Sequence, residues 1–133
     1  MSKKKIIVFE GIEGSGKSFH LNNLKKFLNK KKIKSISIRE PGGSKNSEKI
    51  RRLILNNKSN FNKYADLMLY LSARCENIEK LIKPNYKKKV ILIDRFIDST
   101  LAYQGYGMNI DKNLIKKINK IIMSKLKVDF TFL

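Results

Sequence analysis

The chain has 133 residues, 41% of them hydrophobic, enough for one domain with a core and too few for two of ordinary size. The single Cys75 excludes an internal disulfide, and no stretch reads as a signal peptide or a spanning helix, so a cytoplasmic enzyme without a membrane partner is expected. A formal charge of +19 would ordinarily point to nucleic acid, but 25 of the 30 cations are lysines in a chain also rich in Asn and Ile, as A/T-rich codons produce, and no aromatic-rich basic motif accompanies them; specific nucleic-acid binding is not expected.

From Lys5 to Phe9 the chain reads KIIVF, a short β-branched run suited to a buried parallel strand. GIEGSGKS follows at 11 to 18, and then Leu21, Leu24, Phe27 and Leu28 recur at helical spacing. Strand, glycine loop and helix form the context in which G-x-x-x-x-G-K-S binds nucleotide phosphates. Gly11, Gly14, Ser15, Gly16, Lys17 and Ser18 would surround the phosphates of ATP or GTP, with Lys17 on the outer ones and the Ser18 hydroxyl on Mg²⁺. The alternative, a glycine turn that happens to carry a lysine, lacks a reason for the flanking strand and helix. Glu13 inside this loop is unexplained by phosphate binding, and His20 just beyond it reads as a surface residue.

A second strand is predicted over 33 to 39, stopped by Pro41-Gly42-Gly43. A short helix over 45 to 57 places Ile50, Leu53 and Ile54 on one side. A longer helix over 63 to 83, ended by Pro84, carries Met68, Leu71, Cys75, Ile78 and Ile82 as an apolar stripe, which makes Cys75 a packing residue. Tyr70 and Arg74 lie one turn apart on another face. Together they can stack on a base and hydrogen-bond its edge, or pack as an ordinary surface pair.

VILID at 90 to 94 is almost wholly apolar and so belongs in the middle of a sheet. Asp94 at its end suits a magnesium-holding acid or a turn cap, and Arg95 beside it suits an acceptor phosphate. Ser99, Thr100, Tyr103, Gln104 and Tyr106 crowd the next segment, a helix is predicted over 112 to 126, and a fourth strand begins at Asp129. Alternating strands and helices imply an α/β fold with a parallel sheet covered on both faces. Its ligands bind beyond the carboxyl ends of the strands, where the glycine loop, Arg39-Glu40 and Asp94-Arg95 all fall. Arginine is scarce in this lysine-biased chain, so Arg39, Arg51, Arg52, Arg74 and Arg95 are candidates for places where a bidentate fork matters, with an ordinary surface cation as the alternative for Arg52.

The segments FEGIEGSGKS at 9 to 18, REPGG at 39 to 43, EKIRRLIL at 48 to 55, LYLSAR at 69 to 74 and DRFIDSTLAYQGYG at 94 to 107 resemble, in order, those of the thymidylate kinase family. The resemblance implies a nucleoside-monophosphate-kinase-like domain over 1 to 133 that passes the γ-phosphoryl group of ATP to dTMP, with Mg²⁺, in dTTP synthesis. It implies dTMP contacts from Glu13, Glu40, Pro41, Arg51, Tyr70, Arg74, Arg95, Ser99, Thr100, Tyr103 and Gln104, catalytic roles for Lys17 and Arg95, and metal binding by Ser18 and Asp94. Tyr70 stands where the family usually has phenylalanine, and Glu13 matches a carboxylate turned toward the acceptor sugar. Pairing of two copies through helices is also implied. Gly14 leaves the loop without an arginine, so the arginine-in-lid type is expected, with the lid, a further strand and later helices beyond Leu133 and low turnover by the chain alone. Another phosphate-loop nucleotide or nucleoside kinase, or a non-catalytic nucleotide-binding fragment, is the alternative.

Overall fold

The computed structural model describes residues 4–133. Four strands, β1 (Ile6–Phe9), β2 (Ser35–Arg39), β3 (Val90–Asp94) and β4 (Phe130–Phe132), form one all-parallel sheet in the order β2-β3-β1-β4. The near-continuous apolar run of β3 is explained by its place between β2 and β1: Ile91, Leu92 and Ile93 have no exposed surface. Phe9 and Arg39 both pair with Asp94, and Phe9 also pairs with Phe132, so all four strands end at one level. The loops after them start from a common edge.

Alternation along the strands sends side chains to two cores. On one face, helix α1 (Lys17–Lys30) lays Leu21 and Leu28 over Phe9, Val90 and Leu92. On the other, Ile6, Val8, Ile38, Ile91 and Ile93 meet Ile78, Ile82, Phe96 and Met123. Each such fully buried aliphatic side chain contributes roughly 1.5–3 kcal/mol from apolar burial. The expected covering of both faces is therefore present. A third cluster, Leu67, Leu71, Ile110 and Ile115, joins helix α3 (Lys63–Asn77) to helix α6 (Lys112–Met123).

Several boundaries and faces differ from expectation. Helix α2 spans Lys45–Leu55, with Ser44 as its N-cap, and its Leu53 is exposed, as is Phe27 of α1. The stripe on α3 is displaced: Leu67, Leu71, Ala73, Arg74 and Asn77 are buried, while Met68 and Cys75 are exposed. Cys75 is thus not a packing residue. Apolar spacing misplaced this face because two of its five buried residues, Arg74 and Asn77, are polar. Beyond Asn77 the helix widens into a π-helical segment, Ile78–Ile82, and closes in α4 (Lys83–Asn85). Pro84 does not end the helix, which runs on through α4 to Asn85. Likewise α5 (Ile97–Thr100) runs into a second π-helical segment, Leu101–Gly107. Helix α6 stops at Met123, before Ser124 at φ 52°.

Candidate functional site

The glycine loop turns sharply from β1 into α1. Gly11 and Gly16 have φ of 141° and 89°, and a Cβ at Gly11 would lie 2.8 Å from the Ser15 hydroxyl, so the path requires glycine. Side chains of Ser44, Asn62 and Asp111 cap α2, α3 and α6, whereas Gly16 gives α1 no side-chain cap. The first amides of α1 are left available to an anion. Lys17 Nζ donates to the Ile12 carbonyl at 2.8 Å and curls over the loop, and the Ser18 hydroxyl donates to Asp94 Oδ2 at 3.2 Å. Asp94 Oδ1 is buried without a partner. A serine hydroxyl and a carboxylate with a free lone pair are hard oxygen donors of the kind magnesium takes, with phosphate and water completing the shell. His20 is exposed, as expected, but also borders a cavity of about 420 Å³ with Ser15 and Lys17.

Next to the loop, the ends of β1, β2 and β3 together with α2, α3 and the 96–107 segment enclose a cavity of about 330 Å³. Its lining contains every residue expected to contact dTMP: Glu13, Glu40, Pro41, Arg51, Tyr70, Arg74, Arg95, Ser99, Thr100, Tyr103 and Gln104, joined by Leu55 and Phe96. Three arginines therefore face a space of nucleotide size. Arg95, itself in the left-handed region at φ 64°, donates to the Tyr103 hydroxyl and to Glu13, each at 3.2 Å. Glu13 is thus turned away from the loop's phosphate side toward the cavity. Arg51 donates to the Pro41 carbonyl at 2.6 Å, across a turn whose Glu40–Pro41 bond is cis.

Arg74 is 1% exposed and its guanidinium is already heavily engaged. Nε and Nη2 both lie 2.8 Å from Glu40 Oε2, Nη2 donates to Thr100 Oγ1 at 2.9 Å, and Nη1 donates to Asn119 Oδ1 at 2.7 Å, while the group sits 4.8 Å from the Phe96 ring centre. The expectation of a separate, accessible Tyr70–Arg74 face is corrected accordingly: Arg74 belongs to the inward face, paired with a buried acid. Burial pushes the Glu40 carboxyl above its ordinary value, against the opposing pull of Arg74. Burial, then Asp66, raises the Tyr70 phenol, which stays protonated at neutral pH.

Four polar residues that sequence reasoning left without a role complete this framework. Asn77, fully buried, donates to the Gly42 carbonyl at 2.6 Å and accepts from Ser44 N–H at 2.9 Å, fixing the turn after β2. Asp66 accepts from Gln104 Nε2 at 3.0 Å, so the Gln104 Oε1, buried and unpartnered, is the amide's remaining acceptor. Asn119 holds Arg74, and Glu10 holds the 96–99 segment. Periodicity gave no signal for Glu10, which follows β1, or for Asp66 and Asn77, which lie off the expected apolar stripe.

Comparison with known proteins agrees with this geometry. The family model described as "Thymidylate kinase" matches residues 9–133. A thymidylate kinase of Thermosipho africanus is 43% identical over 127 residues, covering 95% of this chain and 63% of the relative. One from Prochlorococcus marinus strain MIT 9301 is 46% identical over 139 residues, covering 98% and 65%. The chain thus spans under two thirds of the length of these curated relatives. The crystal structure of thymidylate kinase from Ehrlichia chaffeensis superposes with a TM-score of 0.90 at 36% identity, covering 98% of this chain and 74% of that one. A match over nearly all of the sequence, the same parallel-sheet fold and a phosphate loop beside an arginine-lined cavity lead to one conclusion: the chain belongs to the thymidylate kinase family.

Proposed function

We propose that the protein binds dTMP in the cavity between Arg51, Tyr70, Arg74 and Arg95 and phosphorylates it to dTDP with ATP, in the cytoplasm, as a step toward dTTP. The observation that carries this reading is the convergence of all the residues assigned to dTMP on one cavity beside the phosphate loop. Arg95 meets the acceptor phosphate, Tyr70 stacks on the base, and Lys17 with the amides of the loop holds the outer phosphates of ATP. Glu13 and Arg95 orient the sugar-phosphate end. An oxygen of the acceptor phosphate, already ionised at neutral pH, attacks the γ-phosphorus in line as the bond to the β-phosphate oxygen breaks and ADP leaves. No general base is needed, so position and positive charge supply the acceleration. Ser18 and Asp94 would hold Mg²⁺, which when bound neutralises charge on the donor phosphates. Self-association through α2 and α3, which expose Leu53, Tyr64 and Met68, is part of the proposal and is read by sedimentation.

The test is calorimetry of dTMP, dUMP, dGMP and thymidine on the purified protein, followed by a coupled assay of ADP release. Tightest binding of dTMP is expected. Equal binding of thymidine would remove the phosphate-recognising role of Arg95, and a preference for dGMP would remove the assignment of the base.

A further inference from the structure

Glu10 is a buried carboxylate, 4% exposed, and no cation is bonded to it among the described residues. Burying a charge without a counterion is costly unless hydrogen bonds replace its water. Its bonds all come from one short stretch: Phe96 N–H at 2.8 Å and Ser99 N–H at 3.3 Å donate to Oε1, and the Ser99 hydroxyl donates to Oε2. Charge-assisted bonds of this kind are about twice as strong as neutral ones. Immediately before them, Arg95 N–H donates to the Phe9 carbonyl at 2.9 Å. The last residue of β1 and the first after it thus hold the chain from Arg95 to Ser99.

That stretch bears on both ends of the cavity. Arg95 occupies a left-handed backbone conformation that its neighbours must impose, and from it the guanidinium reaches Tyr103 and Glu13. Phe96 lies against the Arg74 guanidinium, and Thr100, the residue after Ser99, accepts from it. Glu10 also immediately precedes Gly11, where the phosphate loop begins. We infer that Glu10 is a positioning residue: through the amides of Phe96 and Ser99 it sets the phosphate-facing Arg95 and the base-facing Arg74 relative to the phosphate loop. This rests on the proposed dTMP site.

The experiment compares wild type, Glu10→Ala and Glu10→Gln in amide hydrogen exchange at residues 96 to 99 and in calorimetry with dTMP and with a non-hydrolysable ATP analogue. Glu10→Ala is expected to speed exchange of the Phe96 and Ser99 amides while β3 amides keep their protection. It should weaken dTMP about tenfold or more, the loss of a charged buried hydrogen-bond partner, with ATP-analogue binding within about threefold. Glu10→Gln, which keeps an acceptor for the amides, should restore their protection and most of the dTMP affinity. Unchanged exchange at Phe96 and Ser99 in Glu10→Ala overturns the inference, as does an equal loss of both nucleotides. Should Glu10→Ala fail to fold, Glu10→Asp, whose shorter side chain draws the acceptor back from the two amides, takes its place: faster exchange at Phe96 and Ser99 with a selective dTMP defect supports positioning, and no selective defect overturns it. If wild type binds no dTMP, the functional proposal fails, and the exchange data still decide whether Glu10 holds the segment.

Discussion

Arg74 spends most of its donors on Glu40, Thr100 and Asn119, and this sets what its removal does. Arg74→Ala leaves Glu40 buried without its cation and is expected to cost about 3–5 kcal/mol of folding stability, well beyond any loss of a ligand contact. Denaturant melts test this, and adding Glu40→Gln should recover a large part of the loss. Glu40 itself, pushed above the ordinary carboxyl value by burial, binds its proton more tightly folded than unfolded. The stability it contributes is full below the unfolded-state value and is lost as pH rises through the raised native one. The melting temperature of wild type relative to Glu40→Gln should therefore fall across that window; a flat difference would show no shift. Tyr70→Ala should weaken dTMP by about 1–3 kcal/mol, the usual size of an aromatic stack on a base, and Tyr70→Phe should leave binding nearly unchanged by calorimetry. The dTMP candidates were legible one by one from motif positions. Their partners were not, because Glu40–Arg74, Glu10–Phe96 and Asp66–Gln104 are contacts between distant parts of the chain that no local spacing encodes.

Among the elements, strands were read more accurately than helix faces. Val90–Asp94 is fully apolar until its last residue, and its central place followed directly. Helix α3 misled because Arg74 and Asn77 take inward positions that the apolar stripe was assumed to own, leaving Met68 and Cys75 outside. Its start is better defined. Asn62 Oδ1 accepts from Tyr64 and Ala65 N–H at 3.1 and 3.0 Å, so Asn62→Ala should cost about 1 kcal/mol in thermal or denaturant melts while dTMP affinity of the folded protein stays the same.

For the molecule as a whole, the alternation of strands and helices gave the layered parallel sheet, and the common level at which the strands end explains why loops far apart in sequence meet. A ligand that binds only the folded form must raise its stability, by about 2.7 kcal/mol at a hundred times its dissociation constant, so saturating dTMP should raise the melting temperature and thymidine should do so less. The widened turn at Ile78–Ile82 has a consequence for how this fold can vary in length. Upstream of it, Leu71 and Arg74 face α6 and the cavity; within it, Ile78 and Ile82 face the sheet. The segment acts as a frame correction between two reading phases of one continuous helix. Deleting a single residue there, such as the exposed Lys80, would let the turn wind as ordinary α-helix, and the two changes cancel: the roughly 100° lost with the residue is regained by the tighter winding, so everything beyond keeps its direction relative to Arg74. Such a deletion should leave both helical content and cooperative unfolding largely intact by circular dichroism, whereas deleting the exposed Ser72, upstream where the winding is ordinary, should turn Arg74 and all that follows by about 100° from Leu71 and abolish cooperative unfolding.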